Sequence, residues 1–245
     1  MRTQFLGYPI DILTMSETVD LAREAMRNRK RLQHVALNVA KFVTMRSDPL
    51  LAADVTGSDL VGIDGMGIVL AARILGVPVT ERVAGIDLMR EVLALCAKEG
   101  FRPFFLGARP DVVRSAADSI MAAYPGIGFA GVRDGYFRPD QEEEIVAEIR
   151  KSGADCLFIG MPTPQKERFL ASYRDCLSVP FIMGVGGSFD ILAGRVRRAP
   201  GFLQSAGLEW LYRVFQEPRR MWRRYLVRDP KFLGIVLKEL RADRR

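Results

Sequence analysis

Short apolar runs alternate along the chain with longer stretches in which apolar residues recur at steps of three and four. The runs Gln33–Asn38, Leu60–Asp64, Arg102–Leu106, Gly128–Val132, Cys156–Gly160 and Phe181–Val185 read as strands. Segments such as Val112–Tyr124 and Gln141–Ser152 carry charge opposite an apolar stripe and read as amphipathic helices. Strand, helix, strand in this rhythm predicts an α/β domain: a mostly parallel sheet covered by helices on both faces. Ligands of such sheets gather beyond the carboxyl ends of the strands. The unusual residues of this chain stand there. Asn38 ends the first run, Asp64-Gly65-Met66-Gly67 the second, Gly107-Ala108-Arg109-Pro110 the third, Gly160–Glu167 the fifth and Gly186-Gly187-Ser188-Phe189-Asp190 the sixth.

After Gly194 the pattern changes. Leu208, Leu211, Val214, Phe215, Met221, Trp222, Tyr225 and Leu226 fall near one helical stripe, and Pro218 interrupts it. A proline inside a helical pattern ends or kinks the helix, so two helical pieces are expected. Residues 1–194 are therefore read as a catalytic α/β domain, and residues 195–245 as a basic, amphipathic helical appendage. Charge sharpens the division. The whole chain has a formal charge of +7, yet from Ala193 onward 14 Lys and Arg face 5 Asp and Glu, so this part carries +9 and the remainder −2. A basic excess confined to one end implies an anionic partner, either nucleic acid or an anionic membrane surface.

Composition removes other classes. With 49% apolar and 27% charged residues the chain is an ordinary globular one, neither disordered nor fibrous. Cys96, Cys156 and Cys176 have no CxxC or metal-ligand spacing and read as small buried residues of a reducing compartment. His34, the sole histidine, reads as structural. The first residues show no signal-like apolar core, and no run of about 18 apolar residues occurs, so a cytoplasmic protein without a membrane span is expected.

Several residues have two readings each. Asp64 follows a strand and precedes two glycines, which suits either a ligand-facing carboxylate or an ordinary cap on the next helix. The glycines do not complete GxGxxG. Arg82 suits a diphosphate, or an ion pair with Glu81 or Asp87. Met161–Glu167 is a proline-stiffened loop before a helix, where Gln165 and Lys166 suit phosphate oxygens, or is simply a rigid turn. No D-x-D triplet occurs, which leans towards a mechanism without metal or other cofactor, in which arginine, lysine and helix termini neutralise a diphosphate. The tail joins both tryptophans of the chain to tyrosines and many arginines, as an interfacial helix does. Its plainer readings are a packed helix with a solvated basic face, or a nucleic-acid arm.

The blocks LVGIDGMGIVLAARILG, ERVAGIDLM, FFLGARPDVV, DGYF, IGMPTPQKERFL, GVGGSFDILAG, RAP and GLEWLYRVFQEPRRMWRRY occur in this order, from about Gln33 to Tyr225. Together they resemble the WecG/TagA/CpsF family of bacterial glycosyltransferases. The resemblance implies a Rossmann-like core and transfer of a hexose or N-acetylhexosamine-type sugar, with inversion. The donor would be a UDP-sugar and the acceptor an undecaprenyl-diphosphate-linked saccharide, in exopolysaccharide or other surface-polysaccharide synthesis. It implies Asp64 as general base and a pocket lined by Asn38, Arg82 and Asp190, to which Gly187, Gln165 and Lys166 are added. It also implies a C-terminal segment on the inner face of the cytoplasmic membrane, where Arg213, Arg219, Arg220, Trp222, Arg223 and Arg224 would meet lipid headgroups or the acceptor diphosphate.

Two departures bear on the donor sugar. Ala36 stands where members with a T-x-N triplet have threonine, and Pro164-Gln165-Lys166-Glu167 exchanges the amide and ammonium of the family's P-K-Q-E. Two other classes compete. A nicotinamide-dependent oxidoreductase would account for the α/β core but lacks the glycine fingerprint. A nucleic-acid-binding protein would account for the basic tail, although its aromatic, leucine-lined stripe suits an interface better, and no nucleic-acid partner is expected. The sequence leaves homo-oligomerisation open.

Overall fold

The computed structural model describes residues 1–205, 207–216, 218 and 229–242. The chain opens with a hairpin of β1 (Arg2–Phe5) and β2 (Tyr8–Asp11), joined through Leu6 and Gly7 at φ 50° and 85°. Two positive φ values in a two-residue loop match the twist of antiparallel strands. No sequence pattern announces this hairpin, because β1 buries only Phe5 fully and so shows almost no alternation.

Helix α1 (Met15–Arg27) follows, started by a capping box between Thr14 and Glu17. Then come β3 (Leu32–Leu37), α2 (Val39–Met45), α3 (Pro49–Thr56), β4 (Leu60–Ile63), α4 (Met66–Ile74) and α5 (Gly85–Glu99). The second half contains β5 (Pro103–Gly107), α6 (Pro110–Ala123), β6 (Gly131–Arg133), α7 (Glu142–Ser152), β7 (Cys156–Gly160), α8 (Gln165–Tyr173), β8 (Phe181–Gly184) and α9 (Ser188–Leu192). Beyond these lie α10 (Gly201–Ser205), α11 (Glu209–Gln216) and α12 (Asp229–Ala242). The predicted strands are all present. The run predicted at Gly128–Val132 is the one that shifts, to Gly131–Arg133, because Ala130 is still in the incoming loop, where its amide donates to Pro103 O at 2.8 Å.

The strands form one eight-stranded sheet in the order β1-β2-β4-β3-β8-β7-β5-β6, and only β1 runs antiparallel to its neighbour. This is the predicted α/β class, a mostly parallel sheet with helices on both faces. One face carries α1, α5, α6 and α9, whose apolar stripes meet Phe105, Phe158 and Phe181. The other carries α2, α3, α4 and α12 against Val35, Leu37, Val61 and Ile63, and α7 and α8 against Leu106, Ile159 and Ile182. Consequently β3 leads into a helix on one face while its neighbour β8 leads into a helix on the other. A crevice opens at such a switch, at the carboxyl edge of the sheet.

The segments after residue 195 touch this body closely. Helix α12 seats Phe232 and Val236 in the core beside Phe42, with ring centroids of Phe42 and Phe232 5.3 Å apart. A Cβ on Gly207 would stand 2.8 Å from Met66 Cγ, so the chain just before α11 lies against the start of α4. Arg219, Arg220, Trp222, Arg223 and Arg224 lie outside the described residues, which also border the expected break at Pro218. Among the described residues no helix is long and apolar enough to cross a membrane.

The cysteines and the histidine test the packing. Cys96 and Cys156 are buried with Sγ atoms 3.5 Å apart, but Cys176 is exposed, contrary to expectation, because it sits in the surface turn that ends α8. His34 is buried, and burial, helped by the Lys41 charge, pushes its pKa down to about 3, so it is a neutral packing residue. It fills the space over Gly62 on the adjacent strand, where a Cβ would stand 2.5 Å from Nε2. Gly62→Ala is expected to cost about 1–3 kcal/mol, because a filled site must shift to admit a methyl group. Urea unfolding of the two proteins checks this, and equal midpoints would contradict it.

Candidate active site

Parallel pairing brings the ends of β3 and β4 side by side. The Asp64 amide donates to Leu37 O at 2.9 Å, which carries the β3–β4 ladder one residue past the strand. Asn38 is the next residue after Leu37 and caps α2, its Oδ1 accepting from Lys41 N at 3.0 Å. After Asp64 the chain turns through Gly65 at φ 102°, a conformation open to glycine and strained for other residues. Gly65, not Asp64, occupies the N-cap of α4. That decides between the two readings of Asp64: the carboxylate is not the cap of the following helix. It projects across the crevice instead, with Oδ2 3.6 Å from where a Cβ on Gly85 would stand, at the first residue of α5. The N-cap of that 15-residue helix is Ala84, which offers no side-chain acceptor, so the positive end of the helix faces the crevice.

Two arginines lie around the start of α5, Arg82 in the loop before it and Arg198 on Asp87 in its first turn, where the Asp64 charge acts on Arg198. Arg82, in the loop before α5, pairs with neither Glu81 nor Asp87; its Nη2 lies 3.3 Å from Glu209 Oε2, at the start of α11. Glu81 instead accepts from the Met15 amide, and Asp87 is held by both terminal nitrogens of Arg198. Arg198 also has Nε 3.8 Å from Glu209 Oε1. Hydrogen bonding to Asp87 raises the Arg198 pKa above its ordinary value, with smaller contributions from the charges of Glu209 and Asp64. Arg198 and Glu209 received no role from sequence reasoning. Their signal was only that the blocks RAP and GLEW contain them, and nothing in one dimension says that these blocks fold onto the loop of Arg82.

The loop after β7 departs from expectation. Gln165 is exposed at the start of α8, but Lys166 is buried and is not presented as a free cation. Its stem runs beneath Gly184, and its Nζ lies 2.8 Å from Glu167 Oε1 and 2.5 Å from Thr163 Oγ1. The same Glu167 oxygen pairs with Lys41 Nζ at 3.0 Å, joining α2 to α8 under the carboxyl edge. Burial pushes the Glu167 carboxyl up, but the two ammonium groups outweigh this and hold it below its usual value. Burial and the Lys41 charge bring Lys166 down to about 8 against the pull of Glu167. Lys41 and Glu167 were missed because Lys41 sits in the otherwise apolar VAKFV and Glu167 reads as a first-turn helix acid.

Gly187 caps α9, with the Asp190 carboxylate 3.6 Å from where its Cβ would be; both are half-buried at the end of β8. Arg213 is half-buried on α11. Asn38 and Asp64 thus lie together at the ends of β3 and β4, Gly187 and Asp190 follow the end of the neighbouring β8, Arg82 precedes α5, and Lys166 lies beneath the end of β8.

A carboxylate stands near the N-terminus of α5, at the switch point of a doubly wound sheet, and two guanidinium groups lie at the same helix end. The model of the Glycosyl transferase WecG/TagA/CpsF family matches residues 3–245, and the chain belongs to that family. It is a glycosyltransferase, and the oxidoreductase and nucleic-acid readings give way. Among its relatives is the N-acetylglucosaminyldiphosphoundecaprenol N-acetyl-beta-D-mannosaminyltransferase of Bacillus spizizenii, 35% identical over 196 residues, or 80% of this chain and 75% of the relative. The protein of the same name from Bacillus subtilis is 37% identical over 177 residues, covering 72% of this chain and 67% of the relative.

The buried cluster has a measurable consequence. Glu167→Gln leaves Lys41 and Lys166 facing each other without a carboxylate, and removing one partner of a buried ion pair costs about 3–5 kcal/mol. Denaturant unfolding should show that loss, and a change below about 1 kcal/mol, the value of an exposed pair, would be inconsistent with it.

Proposed function

We propose that this enzyme transfers an N-acetylhexosamine-type sugar from a UDP-sugar to a saccharide carried on undecaprenyl diphosphate, with inversion, in the synthesis of a surface polysaccharide. The relatives' names, which specify a diphosphoundecaprenol acceptor and an N-acetylmannosaminyl group, support the acceptor and donor classes. The observation that carries the mechanism is the release of Asp64 from helix capping by Gly65, with its carboxylate turned across the crevice towards α5.

In this reading Asp64 accepts the proton of an acceptor hydroxyl as its oxygen attacks the anomeric carbon. The bond between that carbon and the diphosphate oxygen breaks on the opposite face, and UDP departs with the electron pair. Arg82 and the N-terminus of α5 stabilise the growing negative charge, with no metal ion or other cofactor required. Asn38, Gly187, Asp190 and Gln165 line the pocket, and Lys166 supports it from below through Glu167. Asp64→Asn keeps the shape but removes the base, so transfer should fall about 10²–10⁴-fold. A radiolabelled sugar-transfer assay with lipid acceptor measures this, and near-parental turnover in the folded variant would refute the assignment.

The acceptor's lipid calls for a membrane surface, and the basic C-terminal segment suits one on the cytoplasmic side. Phe202, Trp210 and Phe215 are exposed on α10 and α11, which supports an interfacial role for this region. Arg213, Arg219, Arg220, Arg223 and Arg224 would meet headgroups or the lipid diphosphate, with Trp222 at headgroup depth. Each basic residue near an anionic surface contributes about 1 kcal/mol. Replacing Arg219, Arg220, Arg223 and Arg224 together with Gln should therefore abolish flotation of the full-length protein with phosphatidylglycerol vesicles. Undiminished flotation would exclude this patch as the anchor.

A further inference from the structure

Two guanidinium groups from distant parts of the chain converge on one carboxylate at the edge of the crevice. Arg82 and Arg198 flank Glu209, and their side chains are only 16% and 14% exposed. Neither contact is well made. The Arg82–Glu209 separation of 3.3 Å is long for a charge-assisted hydrogen bond, and the Arg198–Glu209 separation of 3.8 Å is too long for any. Arg198 spends both terminal nitrogens on Asp87, in the first turn of α5, and its buried Nε has no hydrogen-bond partner. As placed, the Glu209 carboxylate satisfies neither arginine, with one oxygen 3.3 Å from Arg82 and the other 3.8 Å from Arg198. A phosphoryl group carries more oxygens on a wider frame and would span the gap, and the uncapped N-terminus of α5 lies beside it.

We propose that Arg82 and Arg198 form a diphosphate-binding site that Glu209 occupies as an intramolecular placeholder. Glu209 leaves when substrate diphosphate arrives, and α11 moves with it. Arg198 thereby becomes a substrate-binding residue, held in place by Asp87, and α11 becomes a latch whose release accompanies substrate entry. Asp64 stands near the same helix end, so the bound diphosphate would lie next to the reacting centre. The inference rests on the proposed use of diphosphate-bearing substrates. The diphosphate has two sources in that reading, the nucleotide of the donor and the lipid of the acceptor.

The test uses full-length protein and calorimetric titration with UDP and, separately, with farnesyl diphosphate in detergent. Glu209→Gln removes the competing charge while keeping the side-chain shape, and should bind at least one ligand about fivefold more tightly, the worth of a partly exposed ion pair. Tightening for UDP alone assigns the site to the donor; tightening for farnesyl diphosphate alone assigns it to the acceptor; tightening for both makes it a shared diphosphate site. Adding Arg198→Gln to Glu209→Gln should cancel the gain, with thermal melts showing that both variants are folded. If folded Glu209→Gln binds both ligands no more tightly than the parent, or if the gain survives loss of Arg198, the placeholder is refuted. Sugar transfer assayed on the same samples reports separately on the proposed reaction, because the binding gain is read without turnover.

Discussion

Parallel hydrogen bonding of β4, β3 and β8 is the constraint on which the crevice depends. Because these strands run the same way, Asn38, Asp64 and the turn at Gly186-Gly187 emerge on one edge, although they are far apart in the chain. The bond from the Asp64 amide to Leu37 O extends the ladder just far enough to fix where the carboxylate leaves the sheet. A one-residue slip would turn Asp64 to the opposite face, since side chains alternate along a strand. Opposite departures of β3 and β8 into helices on opposite faces then leave the gap that these residues line.

Beneath that edge the fold accepts an unusual cost. Lys41, Lys166 and Glu167 are all buried, with two ammonium groups sharing one carboxylate oxygen. Burying charge is unfavourable unless the partners are well placed, so the cluster demands that the first turns of α2 and α8 keep their spacing. Those turns also carry Asn38 and Gln165 at the crevice, so a demand arising in the interior is transmitted to groups at the surface.

The C-terminal part enters the same architecture from outside. Phe232 and Val236 on α12 complete the core around Phe42, and Gly207 brings the chain against Met66. Glu209 then reaches Arg82 and Arg198 beside α5. The described residues of this region therefore both finish the core and line the rim of the crevice.

Much of this was legible in one dimension. Alternating apolar runs and amphipathic stretches foretold the parallel α/β sheet, since each strand and helix carries its period locally, and the same pattern placed Asn38 and Asp64 at strand ends. The hairpin of β1 and β2 was silent, because a single buried side chain leaves no alternation to read. What only the tertiary structure decided concerned partners. Whether Asp64 caps a helix, whether Lys166 reaches solvent and whom Arg82 meets all depend on segments brought together by packing. Charge and hydrogen-bond capacity are properties of a residue, so the sequence alone can show them. The group that satisfies them is a property of the fold, and here Glu209 lies 127 positions from the arginine it contacts.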